Sequence, residues 1–366
     1  MASKRQRHDS TDTYTTPDTP DAAMAVVRRL VKQFDLDVPL KDDDSKHGVG
    51  IEVTYDEAAP RVGLQPWDKL DDIGTFEIHR CHIPTNLFKS IVMDMDVMLM
   101  QYGHPSTHRT EEARSRFFSP VLNHLVKQFT FILRNTPETI LAGHIGTQGL
   151  IKHVFKTFGA VVVLFIEMKL LVGNDPKRLE AIAQVITECD GSNRFHHFSL
   201  PIHCIFSDGW SFEFFRFERM PNPTFLRGCF QGDPPDLRHG MRLPDIETSL
   251  PFILQLRCVC ETIFDVMLSA YIAGLKAYYN REEDMGKEGL KRLSFGGWDR
   301  ALQLAEHAQE AFREAEVQCK EGNIVSANVT IDAALLALQE STGALPTRYK
   351  SKLIMMDWDD AEIDSA

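Results

Sequence analysis

Metal-spaced cysteines, a membrane-length apolar run and an excess of positive charge are all missing from this 366-residue chain. The seven cysteines are odd in number and form no Cys-x-x-Cys pair. That excludes a zinc ribbon or a complete disulfide framework and suits a reducing, intracellular compartment, nuclear or cytoplasmic. Cys258-Val259-Cys260 sits in an apolar helical pattern and reads as core packing. The longest apolar run, Ala160 to Ile166, is far too short to span a bilayer, and no charged-then-apolar leader opens the chain. No membrane partner is therefore expected. A net charge of −12 argues against simple polyanion binding. Residues 101–240 soften that exclusion, with 15 Lys and Arg against 13 Asp and Glu, so weak nucleic-acid contact is allowed there.

What is present is a globular composition, 43% hydrophobic with 23 Phe, in a chain long enough for a large core. Residues 1–20 are Ser, Thr, Asp and Pro-rich and predict a disordered tail. Lys4-Arg5-Gln6-Arg7 there is a candidate nuclear address, and Thr16 and Thr19, each before proline, are candidate phosphorylation sites. An ordinary solubilising tail explains the same residues. Residues 21–109 predict a helical and irregular extension. Asp21 caps a short amphipathic helix, residues 36–75 are irregular around Asp42-Asp43-Asp44, and a helix follows from about Asn86 to Met100. His79-Arg80-Cys81-His82 and His104/His108 have loosely metal-like spacing but match no zinc pattern, and read as structural or surface histidines.

Residues 110–245 are more legible. Thr110 caps a helix to about Gln128, with Glu111 and Glu112 in its first turn where the helix dipole favours anions. Strands are expected at Thr139–Ile145, Ile151–Phe158 and Val161–Lys169, with a turn at Gly146–Gly149. A helix from Asn174-Asp175-Pro176 to about Cys189 follows, then strands Leu200–Phe206 and Trp210–Phe217 around an Asp208-Gly209 turn. Residues 246–345 predict a buried apolar helix to about Tyr279 and two amphipathic helices, Trp298–Lys320 and Val325–Gln339. Residues 346–366 form an acidic tail.

The strand Val161–Lys169 ends in Glu167-Met168-Lys169. Two residues apart on a strand, a carboxylate and an ammonium share a face. Glu-x-Lys alone is cheap, since at ~6% for each residue type about one copy arises by chance in a chain this long. The pair can equally decorate a strand end in solvent. Its context, helix, three strands, helix, strand, resembles the PD-(D/E)XK nuclease superfamily. So do the blocks His153-Val154-Phe155, Thr157-Phe158-Gly159-Ala160, Phe165-Ile166-Glu167-Met168-Lys169, Arg178 to Ile186 and Ser211 to Phe215, which are similar to a group of fungal proteins built on that core. The resemblance covers roughly residues 110–220. It implies an α/β fold with a restriction-endonuclease-like αβββαβ core, a mixed sheet and a C-terminal helical extension.

For chemistry, the resemblance implies Mg²⁺-dependent phosphodiester hydrolysis. Glu167 would be a metal ligand, Lys169 the water-positioning group, Glu111 or Glu112 the helix acid, and Gln184 a supporting helix residue. The chain departs from this pattern at the first acid, whose place by count is taken by Lys152. No Asp or Glu lies between Glu138 and Glu167. Two lysines around one carboxylate repel a hard cation that wants several oxygen ligands. Glu138, or Glu180 on a helical face with Gln184 and Glu188, are the candidate replacements. That face also reads as simply solvated, opposite Leu179, Ile182, Ala183, Ile186 and Cys189. The expectation is a nuclease-fold protein with an incomplete metal site that binds nucleic acid or a protein partner. The alternatives are an active nuclease with a relocated acid, and a scaffold acting through its C-terminal helices.

Overall fold

The computed structural model describes residues 53–130, 132–140, 150–157, 161–168, 175–196, 200–218, 222–230, 239–287 and 297–345. The Lys4–Arg7 address, Thr16 and Thr19, the helix expected after Asp21, Asp42–Asp44, the Gly146–Gly149 turn, Lys169 and the acidic tail all lie outside the described residues.

Thr110 starts a helix as its sequence predicts. Its hydroxyl oxygen accepts the Ala113 amide proton at 3.2 Å, meeting one of the donors a helix start leaves open. In chain order the elements are α1 (Tyr55–Ala58), β1 (Thr75–Ile78), α2 (Thr85–Tyr102), α3 (Glu111–Lys127), β2 (Leu133–Ile140), β3 (Leu150–Thr157), β4 (Val161–Met168) and α4 (Asp175–His196). They continue with β5 (Ile202–Ser207), β6 (Ser211–Glu218), β7 (Thr224–Phe230), β8 (Gly240–Arg242), α5 (Leu250–Lys287), α6 (Trp298–Lys320) and α7 (Ile324–Gly343).

One mixed sheet runs in the order β1-β7-β6-β5-β4-β3-β2, with β8 paired to β6. β2, β3 and β4 are successively antiparallel, β4 and β5 are parallel across α4, and β5 and β6 form a hairpin. At that hairpin Asp208 Oδ1 accepts from the amides of Trp210 and Ser211, and Gly209 takes the left-handed φ of 88° that suits glycine. The fold is thus α/β with a mixed sheet and C-terminal helices, in the element order the sequence predicted for residues 110–220.

Three expectations need correcting. The strand expected at Thr139–Ile145 starts earlier, at Leu133, because Pro137 is tolerated on an edge strand, where one side of the backbone needs no ladder partner, and residues 141–145 lie outside the described residues. α4 runs past Cys189 to His196. Strand β1 falls in the extension read as helical and irregular, and β7 and β8 fall after Phe217, where no strand was expected. β1 and β8 have only four and three residues, and β7 contains Gly228, so their period-2 signal is weak.

Two apolar layers enclose the sheet. On one face Leu164 and Ile166 of β4, Phe212 and Phe214 of β6 and residues of α2, α3, α5 and α6 form one cluster. On the other, Cys204 and Phe206 of β5, Phe215 and Phe217 of β6 and Ile182, Ala183, Ile186 and Cys189 of α4 pack with Val53, Tyr55, Val62 and Ile73. Part of the segment read as irregular is thus the lid of the second layer. Phe212, Phe214, Phe215 and Phe217 are all within 1% of full burial, so this phenylalanine-rich strand is core and offers no stacking platform for bases. Leu250–Ala277 of α5 is long and apolar enough to cross a membrane, and 89% of that apolar window is buried within the protein.

Candidate functional site

The geometry around Glu167 follows from strand register. Glu167 is the penultimate residue of β4 and pairs with Phe206 of β5. His153 pairs with Ile166, so continuing that antiparallel register by one residue sets Lys152 opposite Glu167. On the other side of β3, Pro137 pairs with His153 and Thr139 with Ile151, which sets Glu138 opposite Lys152. Glu138, Lys152 and Glu167 therefore form one cross-strand row. With neighbouring strands roughly 4.8 Å apart, the two acids sit about 10 Å apart along the sheet with a lysine position between them. A hard divalent cation needs several converging oxygens. An Mg²⁺ site at this row would need oxygens beyond those of the two strand acids.

The helical candidates are scattered. Arg114 Nη1 donates to the carbonyl of Asp208 at 3.0 Å, which brings the first turn of α3 to the β5–β6 turn, beside the end of β4 where Met168 pairs with Ser207. Glu112 in that turn holds Arg116 Nε at 2.8 Å in a largely exposed i,i+4 pair. Glu180 on α4 is exposed. Gln184 donates its amide to Glu188 Oε1 at 2.9 Å. Glu188 is buried, so the solvated-face reading fails at that position, whereas Ile182, Ala183, Ile186 and Cys189 occupy the core as expected.

A polar junction joins α3, β2 and β3. Ser115 Oγ lies 2.7 Å from His153 Nε2, and Asn135 Nδ2 lies 2.8 Å from His153 Nδ1. The order hydroxyl, imidazole, amide is that of a nucleophile, base and orienting group. Ser115 and His153 are nevertheless only 7% and 8% exposed, and a nucleophile needs access to its substrate. This triad ties the helix to the sheet edge.

The densest charge cluster lies where the segment after β1 is clamped between α5 and α6. Glu261 of α5, fully buried, accepts from Arg80 Nη2 at 2.7 Å and from Arg257 Nε at 2.9 Å, and lies 2.9 Å from His82 Nδ1. Glu316 of α6 faces the same His82 Nδ1 at 3.2 Å, Arg80 at 3.3 Å and Lys320 at 3.5 Å. Next to it, Asp265 takes both a 2.7 Å and a 2.9 Å contact from Arg313 and accepts the Cys81 thiol at 3.0 Å. Main-chain bonds from Cys81 N to Glu261 O and from His82 N to Phe312 O complete the clamp.

His82, Glu261 and Glu316 bring ligand atoms within 4.8 Å of one another, close enough to hold a metal ion. The chemistry of the donor set argues otherwise. Arg257 Nη2 lies 2.9 Å from His82 Nε2, and a guanidinium only donates, so in the neutral ring that nitrogen accepts and the proton sits on Nδ1 between the two carboxylates. Both glutamates already face two cations. Burial works against the His82 imidazolium, but the hydrogen bonds that its Nδ1–H donates to Glu261 and Glu316 outweigh it and hold the His82 pKa above its ordinary value. Burial likewise works against the Glu261 carboxylate, and His82 and Arg80 more than offset it, leaving its pKa below the usual range. The arrangement is a saturated ionic clamp. Its histidine was visible in His79–His82, but its glutamates are about 180 and 234 residues away, and no local spacing could announce them.

No family model matches this chain, and neither curated proteins nor solved structures yield a match.

Proposed function

We propose that this chain is a nuclease-fold protein with an incomplete metal site, a binder of nucleic acid rather than a hydrolase. The sheet order β2-β3-β4-β5-β6 with β3 antiparallel to its neighbours, preceded by α3 and crossed by α4, supports the restriction-endonuclease-like reading of the core. The observation that carries the loss of catalysis is the row Glu138-Lys152-Glu167. Lysine stands where the first metal acid belongs, and Lys169 follows two residues after Glu167. Lysines on both sides of Glu167 in the chain would attract phosphate and disfavour Mg²⁺. With a net charge of −12 the contact is weak and salt-sensitive.

The test uses labelled 30-mers of single- and double-stranded DNA and RNA, read by fluorescence anisotropy and on denaturing gels, with Mg²⁺, Mn²⁺ or chelator. Binding without cleavage is expected, independent of the metal, and weakened several-fold by Lys152→Glu and Lys169→Ala. Metal-dependent cleavage abolished by Glu167→Ala overturns the proposal in favour of an active nuclease with Glu138 or Glu180 as the relocated acid.

A second reading has its own observation. Val325, Val329 and Leu336 along α7 are 81%, 67% and 57% exposed, an apolar stripe on an outer helix that suits a protein partner. Val325→Asp with Val329→Asp should then abolish capture of a partner while leaving nucleic-acid binding intact.

A further inference from the structure

Helix α7 carries two rows of residues whose spacing alternates between four and three. Ala327, Ile331, Ala334 and Leu338 form the inner row, all buried in the first apolar layer. The outer row starts two residues earlier with Val325, Val329, Asp332, Leu336, Gln339 and Gly343, all exposed. Two residues turn a helix by about 200°, so the rows lie on opposite sides. The alternation of four and three is the spacing of a seam along which two helices pack. The inner seam is filled by the protein itself. The outer one, about 27 Å long, has the same geometry and leaves Val325, Val329 and Leu336 largely bare.

Charge decides what fits there. The α6–α7 hairpin, residues 298–343, holds eight Asp and Glu against three Lys and Arg. Each of those cations already faces a carboxylate, Arg300 with Glu340 at 3.3 Å, Arg313 with Asp265 at 2.7 Å and Lys320 with Glu316 at 3.5 Å. Asp332 stands in the outer row between Val329 and Leu336, and it has no hydrogen-bond or ion-pair partner among the described residues.

A second copy of this chain is a poor occupant. With two α7 helices parallel in register, or antiparallel with Val329 against Leu336, the two Asp332 carboxylates meet near the centre and repel. Nucleic acid and anionic bilayers are repelled by the same charge. A helix with an aliphatic seam and flanking Lys or Arg meets both the bare valines and the unpaired carboxylate.

We propose that the outer face of α7 docks a basic amphipathic helix of a partner protein, with one Lys or Arg of that helix paired to Asp332 and its apolar seam laid along Val325, Val329 and Leu336. This rests on the reading of α7 as a partner surface and adds the partner's chemistry. Three aliphatic side chains fall well short of the roughly 800 Å² that a standard interface buries on each side, so the contact is reversible.

Two stapled, monomeric helical peptides of about three heptads test it on the full chain by fluorescence anisotropy. Both carry Leu along the seam. One has Lys and Arg beside it, the other Glu at the same places. The basic peptide should bind saturably and the acidic one about tenfold more weakly, a gap that shrinks as salt rises. Asp332→Asn should weaken the basic peptide about threefold. Asp56→Asn removes the same charge from α1, in the other apolar layer, and should change nothing. Val329→Ala with Leu336→Ala should weaken binding about tenfold with an unchanged circular dichroism spectrum, since both side chains are exposed.

The proposal is overturned if the basic peptide does not saturate, if the two Asn variants lose affinity equally, or if the peptides bind equally well. In that last case, with binding still lost in Val329→Ala with Leu336→Ala, the partner surface stands and only its basic specificity falls. A dimer seen by sedimentation and dissolved by that double variant assigns the face to a second copy instead. Adsorption to phosphatidylcholine vesicles that the double variant loses assigns it to lipid. Partner capture by Val325→Asp with Val329→Asp tests the underlying reading separately.

Discussion

Glu261→Gln is the sharpest probe of the clamp. The substitution keeps the volume and one acceptor oxygen but removes the charge that Arg80 Nη2, Arg257 Nε and His82 Nδ1 approach at 2.7, 2.9 and 2.9 Å. Removing one partner of a buried ion pair costs about 3–5 kcal/mol, because the surviving charges stay desolvated. The guanidiniums here keep part of their exposure, 25% and 22% of their side chains, and can recover some hydration. The expected loss is therefore near the low end, about 3 kcal/mol. For a protein of this size that is a fall in Tm of roughly 4 °C, read by calorimetry or circular dichroism at pH 7. A loss below about 0.5 kcal/mol would mean that the cluster is a loose surface network, and the reasoning fails. The same experiment decides the metal question. Chelator should leave the parent Tm unchanged, and Zn²⁺ or Mg²⁺ should not raise it. A metal-dependent rise that disappears in Glu261→Gln would refute the argument that guanidiniums already saturate the site.

The remaining predictions use other parts of the fold. The His82 pKa is raised on folding, so its stabilisation is complete below the unfolded value of about 6.5 and is lost as pH rises through the folded value. His82→Gln should flatten that decline, and the His82 ring protons should titrate above pH 6.5 by NMR. The His203 pKa is instead depressed to about 4, so its neutral form favours the fold above pH 6.5, and that advantage drains away as pH falls towards 4. The loss is about 3 kcal/mol at most, and His203→Leu should make the acid limb shallower. A Cβ at Gly274 of α5 would come within 2.5 Å of Thr157 Oγ1 and 3.2 Å of Thr157 Cβ on β3. Gly274→Val should cost about 1–3 kcal/mol, whereas Gly274→Val with Thr157→Ala recovers part of it. Cys189 and Cys204 are buried with their sulfurs 3.5 Å apart, and burial pushes the Cys189 thiol well above its ordinary pKa. Both should resist thiol reagents in the native protein and react only on unfolding.

Local pattern and long-range placement divide this protein cleanly. Thr110 as a helix cap, the Asp208-Gly209 turn, the helix Trp298–Lys320 and the apolar face of α4 depend on neighbours within a few residues, and all could be read from the chain. β1 was not legible, since four residues make a strand only when β7 is there to pair with them. The burial of Glu188 was equally invisible, because by spacing it shares a face with the exposed Glu180 and nothing in the local pattern sets the two apart. The clamp is the clearest case. The sequence alone determined that His82 stood among titratable neighbours, and there the spacing argued against a zinc site. Only the tertiary structure brought Glu261 and Glu316 to it, because electrostatic partners are chosen by distance in space, and the chain places these three groups at the meeting point of two helices and a loop.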